Sequence, residues 1–296
     1  MLPELHCRLR SWYHVHARPL AWRDPATSAW GILLSEIMSQ QTPVARVEPK
    51  WCEWMDRWPT PADLAHADTA DLLIAWDTLG YPRRALRLQE CAQMIVDKHG
   101  GVVPSDLAEL LALPGIGDYT ARAVAAFYYG QRVPVVDTNV RRVYKRLIQA
   151  TYLQGTPRRK ELTEVESILP IEGAPEFSAA LMELGALVCT PTPACQLCPV
   201  SDLCAWQLNG CPQPDELELA QAKQRVQKFT GTDRQVRGKI MAVLRKNRHA
   251  RRADIDLIWP DQQQLSRCLF SLLADGLCEN DGDIFSLPTS STSRDK

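Results

Sequence analysis

LALPGIGDYTARAVAAFYYGQRVPVVDTNVRRVYKR, residues 111–146, decides how the rest of the chain is read. Leu111 to Pro114 closes one helix, and Gly115-Ile116-Gly117 is a turn able to take positive φ angles closed to most side chains. Tyr119 opens a second helix, whose Ala121, Ala123, Ala125 and Ala126 favour helix and leave room for a neighbouring backbone. The pattern predicts a helix-hairpin-helix. Amides of Gly115 and Gly117 beside a helix N-terminus favour an anion such as a backbone phosphate, and such a contact positions a duplex without reading its sequence.

Val133-Pro134-Val135-Val136 reads as a short apolar strand ending at Asp137, and Asn139-Val140-Arg141-Arg142-Val143 begins the next helix. Asp137 therefore stands at an N-cap. Capping alone accounts for an aspartate there, but its place one hairpin away from a phosphate grip resembles the aspartate of the endonuclease III superfamily of DNA glycosylases. In that superfamily the residue lies beside the sugar of an extruded nucleotide.

A second stretch narrows the resemblance. The helix expected over 29–42 is apolar on most sides, with Ile32, Leu33, Leu34, Ile37 and Met38 around Glu36. Burial favours a neutral carboxyl, which suits a general acid; a salt-bridged or solvated glutamate is the plain alternative. Gln40 follows one turn later on the same face. Leu20-Ala21-Trp22-Arg23 and Ser35-Glu36-Ile37-Met38-Ser39-Gln40-Gln41-Thr42 resemble the LPWR and SExMLQQT signatures of A/G-specific adenine DNA glycosylases, with departures at Ala21 and Ser39. The resemblance implies that Glu36 protonates adenine and Asp137 stabilises the sugar cation, with Tyr119 and Asn139 steadying the acids. It also implies DNA contacts from Arg23, Gln40, Gln41, Thr42, Gly115, Gly117 and Arg141. Leu79-Gly80-Tyr81-Pro82-Arg83-Arg84-Ala85 is similar to the family's GLGYYxRA loop, where the tyrosine wedges into the duplex; a tyrosine after glycine is otherwise an ordinary turn residue.

Of ten cysteines, Cys7, Cys52, Cys91, Cys211, Cys268 and Cys278 are scattered, whereas Cys189-x5-Cys195-x2-Cys198-x5-Cys204 lies in a proline-rich loop. Four thiolates so spaced suit a structural zinc or an iron-sulfur cluster. The family's pattern, C-x6-C-x2-C-x5-C around a 4Fe-4S cluster, matches the later intervals and exceeds the first by one residue.

At 296 residues and net charge −1, the chain is long enough for two compact units and carries no overall basic field. Local patches must then serve any DNA: Arg83, Arg84 and Arg87; Arg141, Arg142, Lys145 and Arg146; or the run from Arg234 to Arg252, although such runs are commonly solvated helix faces. No signal-like or bilayer-length apolar run is read, so an intracellular, nucleoid-associated monomer is expected.

The expected fold is all-α: a bilobal helix-hairpin-helix glycosylase core over 1–211 with a cysteine-cluster loop at 189–204. A linker at 212–231 leads to a small winged-helix-like α+β module at 232–288 and a disordered tail at 289–296. The module's helices and its Asp281-Gly282 hairpin signal carry that reading. Long adenine glycosylases end instead in a Nudix-like domain, so the resemblance is expected to span Leu2 to Trp206, and the basic module to add DNA contacts. The implied partner is double-stranded DNA with adenine opposite 8-oxoguanine or guanine. An endonuclease III-type lyase is disfavoured, because its lysine nucleophile would stand at Tyr119. A thymine or uracil mismatch glycosylase and a non-catalytic DNA-binding protein remain the alternatives.

Overall fold

The computed structural model describes residues 2–224 and 229–289, the side chains of 221–224 excepted. The expected disordered tail therefore lies, beyond residue 289, outside the described residues, as does the end of the linker's helical stretch. In chain order the helices are α1 (Leu2–His16), α2 (Ala29–Ser39), α3 (Val44–Arg57), α4 (Pro61–Ala65), α5 (Thr69–Trp76), α6 (Arg83–His99), α7 (Leu107–Ala112), α8 (Asp118–Phe127) and α9 (Thr138–Leu147). There follow α10 (Lys160–Glu166), α11 (Ala174–Leu187), α12 (Ala205–Leu208), α13 (Glu216–Gln224), α14 (Asp233–Asn247), β1 (His249–Arg251), α15 (Arg252–Asp256), α16 (Gln262–Ala274), β2 (Glu279–Asp281) and β3 (Ile284–Ser286).

The chain divides into two compact units. The first takes residues 1–32, 105–111 and 116–226. Its core forms because three helices each carry an apolar stripe at helical spacing: Leu5, Leu9 and Trp12 on α1, Val140, Val143, Tyr144 and Leu147 on α9, and Phe177, Leu181 and Leu184 on α11. Gly185 sets how close α9 and α11 approach, since a Cβ there would lie 2.7 Å from the Asn139 Cβ. Residues 133–136, expected as strand-like, pair with no strand among the described residues. Val135 instead packs on Ala123 and Ala126 of α8.

The second unit takes residues 33–104, 112–115 and 227–296. Trp54, Trp58 and Trp76 meet edge to face at centroid distances of 4.8 and 5.4 Å, and α4 packs on α6. Its C-terminal portion is a winged-helix-like module in which α14 lies on α16 beside an antiparallel sheet ordered β1-β3-β2. The hairpin turn falls at Gly282, φ +57°, as its sequence predicts. Strand β1 falls inside the basic run and pairs Ala250 with Phe285. Three residues are too few for alternation to announce a strand, which is why the sequence reading passes over it.

Candidate active site

Asp137 caps α9. Its Oδ1 accepts the Val140 amide at 2.6 Å and its Oδ2 accepts Asn139 Nδ2 at 2.8 Å. Burial pushes its carboxyl above the usual aspartate range, and the bonds from Val140 and Asn139 oppose that rise without cancelling it. Asn139 cannot turn freely, because its Oδ1 accepts Arg142 Nη2 at 2.7 Å. Arg142 in turn donates to the carbonyls of Cys189 and Gly185, each at 2.7 Å. A relay of hydrogen bonds therefore joins the cap to the start of the cysteine loop.

The cations of α9 face inward. Arg142, Lys145 and Arg146 are 6%, 4% and 2% exposed, which rules them out as the surface patch that the sequence suggests. Arg146 donates to the carbonyls of Thr190 at 2.6 Å and Pro191 at 3.0 Å. Arg141 is paired with Glu161 at 2.7 Å and donates to the carbonyl of Gln154 at 3.2 Å. Nothing in that arrangement leaves Arg141 turned toward a phosphate.

The hairpin has the predicted turn, with its two glycines in different conformations. Gly115 takes φ +77°, and a Cβ there would also meet the Arg87 Cβ at 3.0 Å, so both backbone and space exclude a larger residue. Gly117 is extended, φ −94°, and caps α8; the left-handed freedom anticipated for it is unused. Both are exposed, and Tyr119 follows half-buried on the first turn of α8, packed toward Ala123 and Ala126.

Ser28 starts α2 by accepting the Gly31 amide at 3.2 Å. Glu36 is half-buried on this helix, between buried Ser35 and Ile37. The helix stops at Ser39, earlier than expected, and Gln41 takes φ +54° in an exposed turn. Thr42, read as a DNA contact, is 7% exposed and donates to the Leu79 carbonyl at 2.9 Å. Its hydroxyl fastens the α2 turn to the loop before Tyr81.

Arg84 is the residue that sequence reasoning missed here, taking it for part of a surface patch. Its Nη1 donates to the carbonyls of Ile37 at 2.7 Å and Met38 at 3.1 Å; its Nη2 donates to Thr42 Oγ1 at 3.1 Å and the carbonyls of Leu79 at 2.8 Å and Gly80 at 2.9 Å. Burial lowers its pKa to about 10, which leaves it charged at neutral pH. One guanidinium thus binds the end of the Glu36 helix to the Tyr81 loop. Beside it, Gln40, Arg83, Arg87 and Gly115 line a groove of about 250 Å³.

Arg23 is anchored rather than free. Glu183 on α11 is 0% exposed and accepts Arg23 Nη2 at 2.6 Å, Arg18 Nε at 2.6 Å and the Arg18 amide at 3.1 Å. Burial alone would raise this carboxyl; the two arginines outweigh burial and hold it below the usual range. No sequence signal marked Glu183, since its partners lie far away along the chain.

Cys189, Cys195, Cys198 and Cys204 line one cavity with Arg146 and Trp206. Cys211, read as scattered, packs against the same core. Burial pushes Cys198 up to about 11 and raises Cys195 and Cys204, so these thiols need a strong Lewis acid to become thiolates. Among the described residues no three potential ligands stand close enough to share a single ion. Tetrahedral zinc, with Zn–S near 2.3 Å, would draw the sulfurs to roughly 3.8 Å of one another. Four thiols lining one cavity supply a donor set suited to either a structural zinc or a polynuclear iron-sulfur cluster. Among the described residues no helix is long and apolar enough to cross a membrane.

The fold and these motifs define a class, and comparison with known proteins agrees: residues 34–166 match the model of the HhH-GPD superfamily base excision DNA repair protein. An adenine DNA glycosylase of Mycobacterium tuberculosis (strain H37Rv) is 52% identical over 95% of this chain and 92% of its own length. The human adenine DNA glycosylase is 41% identical over 66% of this chain and 38% of its own length. A solved endonuclease III in non-covalent complex with DNA superposes with TM-score 0.60 at 25% identity, covering 69% of this chain and 94% of that one. The chain belongs to the adenine DNA glycosylase family. Because the mycobacterial match spans 95% of the chain, the expectation that the resemblance stops at Trp206 is corrected: it continues through the C-terminal module.

Proposed function

We propose that this chain hydrolyses the N-glycosidic bond of adenine opposite 8-oxoguanine or guanine in double-stranded DNA. The observation that carries the reading is Asp137, a half-buried carboxylate fixed at the start of α9 by Val140 and Asn139. The 52% identical relative named as an adenine DNA glycosylase supports it. Extruding adenine from the stack costs a few kcal/mol. Tyr81 fills the space left in the duplex, and the Gly115-to-Gly117 amides hold the backbone.

Glu36 then donates its proton to adenine N7, and electrons of the bond to C1′ flow onto the base. Positive charge gathers at C1′, where the Asp137 carboxylate stabilises it until water adds and gives up a proton. The division of labour parallels that of paired carboxylates in glycoside hydrolysis. Tyr119 and Asn139 steady the two acids, and Gln40 and Gln41 meet the opposite base.

Cys189, Cys195, Cys198 and Cys204 would hold a 4Fe-4S cluster, which supplies a rigid tie for the loop and no step of base release. Purified protein is expected to show a broad visible absorption and to contain iron with little zinc. Colourless protein carrying stoichiometric zinc would replace the cluster with a structural zinc site.

Single-turnover assays on duplexes carrying adenine opposite 8-oxoguanine, thymine opposite guanine, and thymine glycol test the assignment. Release of adenine alone is expected, with strand scission only after alkali and little adduct on borohydride treatment, because Tyr119 cannot form a Schiff base. Release of thymine in preference to adenine would move the protein to the mismatch thymine glycosylases. Efficient borohydride trapping would identify a lyase.

A further inference from the structure

The C-terminal module is fastened to one stretch of the second unit, residues 71–83, and that stretch bears Tyr81. Arg248 pairs with Asp71 at 2.6 Å, and Arg83 pairs with Asp275 at 3.2 Å. Asp275 is also held by Arg237 at 2.5 Å. Arg245 lies half-buried with the Asp77 charge nearby, and α14 packs on α5. Several of the cations expected to meet DNA are engaged in this attachment or inside the module, where Lys239 lies over Trp259 and Arg252 pairs with Asp256, while Lys246 and Arg251 are exposed.

The backbone under this attachment is strained. Asp77 has φ +43° and Tyr81 φ +48°, with Gly80 at φ +78° between them. Positive φ is costly for a side chain as bulky as tyrosine and persists only where surroundings over-determine it. Arg84 holds the carbonyls of Leu79 and Gly80 from within. From the module, the Arg234 guanidinium lies 4.3 Å from the centre of the Tyr81 ring, while Arg84 stands 5.9 Å from it.

We propose that Arg234 is a positioning residue for Tyr81, and that the C-terminal module acts on base extrusion by bracing this ring rather than by adding phosphate contacts of its own. The inference rests on Tyr81 being the residue inserted into the duplex. A cation over an aromatic face holds the ring without closing off its edge. Tyr81 is 37% exposed in this arrangement, so the braced ring still presents surface to a duplex.

A double-mutant cycle in the full chain tests it. Arg234→Ala should lower the single-turnover rate of adenine release roughly fivefold without changing duplex affinity or its salt dependence. Tyr81→Ala should lower the rate further, and the double variant should equal Tyr81→Ala. Hydrogen exchange at the amides of Gly80, Tyr81 and Arg83 should quicken in Arg234→Ala, whatever the substrate. Independent, multiplying effects, or a salt slope reduced by about 0.9, would make Arg234 a phosphate contact and overturn the proposal. So would unchanged rate and exchange. A wild-type protein that leaves adenine in place, with exchange still quickened by Arg234→Ala, would defeat the proposed function while upholding the brace.

Discussion

Glu36→Gln leaves duplex affinity within about twofold and lowers the single-turnover rate of adenine release by roughly 10²- to 10⁴-fold, the range spanned by general acids. The substitution keeps the volume and polarity of the side chain and removes only its transferable proton. Its site is the half-buried turn of α2 between Ser35 and Ile37. Asp137→Asn also suppresses release, for two reasons. It removes the anion beside the sugar, and it sets an amide donor against either Asn139 Nδ2 or the Val140 amide, a mismatch that Asn139 cannot relieve by flipping because its one side-chain oxygen accepts from Arg142. The wild-type pH profile carries the same signature. Since burial raises the Asp137 carboxyl, the anion is lost as pH falls through that raised value, and the acid limb should lie above the ordinary aspartate range. Near-normal release by Glu36→Gln would remove it from the mechanism.

The double substitution Arg18→Met with Arg23→Met should cost about 3–5 kcal/mol of stability at pH 7, the usual penalty for orphaning a buried charge. Glu183 would keep the Arg18 amide as its remaining donor among those seen here, in a site that is 0% exposed. The sign of the pH dependence is the sharper test. In the wild type the folded-state pKa of Glu183 is depressed, so its contribution is complete above the unfolded value and is lost as pH falls through the folded one. In the double variant burial acts unopposed and raises the pKa. The penalty is then full above the raised value and shrinks as pH falls through it. Urea unfolding at pH 7 and pH 5 should therefore show the gap between the two proteins narrowing in acid. A gap that stays constant would mean that the Glu183 pKa is not raised in the variant, its carboxylate staying ionised and solvated.

Elements whose signals are local can be read directly from the residues. Gly115 announces a left-handed turn, the alanines of α8 a tight helix, Asp137 a cap, and the apolar stripes of α1, α9 and α11 their buried faces, because each depends on residues within one or two turns. The four-cysteine loop was legible for the same reason, since its ligands lie within sixteen positions of one another. Where the charges go depends on packing between residues far apart in the chain. Arg23, Arg84, Arg141 and Arg146 read as candidate DNA contacts, yet their partners are Glu183, the carbonyls around Leu79, Glu161 and the cysteine loop. A guanidinium carries the same sequence signature whether it meets a phosphate, a carboxylate or a backbone carbonyl. Only the packed chain brings one of those acceptors within reach, and the acceptors here stand from a few residues to 160 positions away. The same holds for Arg234 and Tyr81: long-range packing of α14 on α5 made them neighbours, and no periodicity records that.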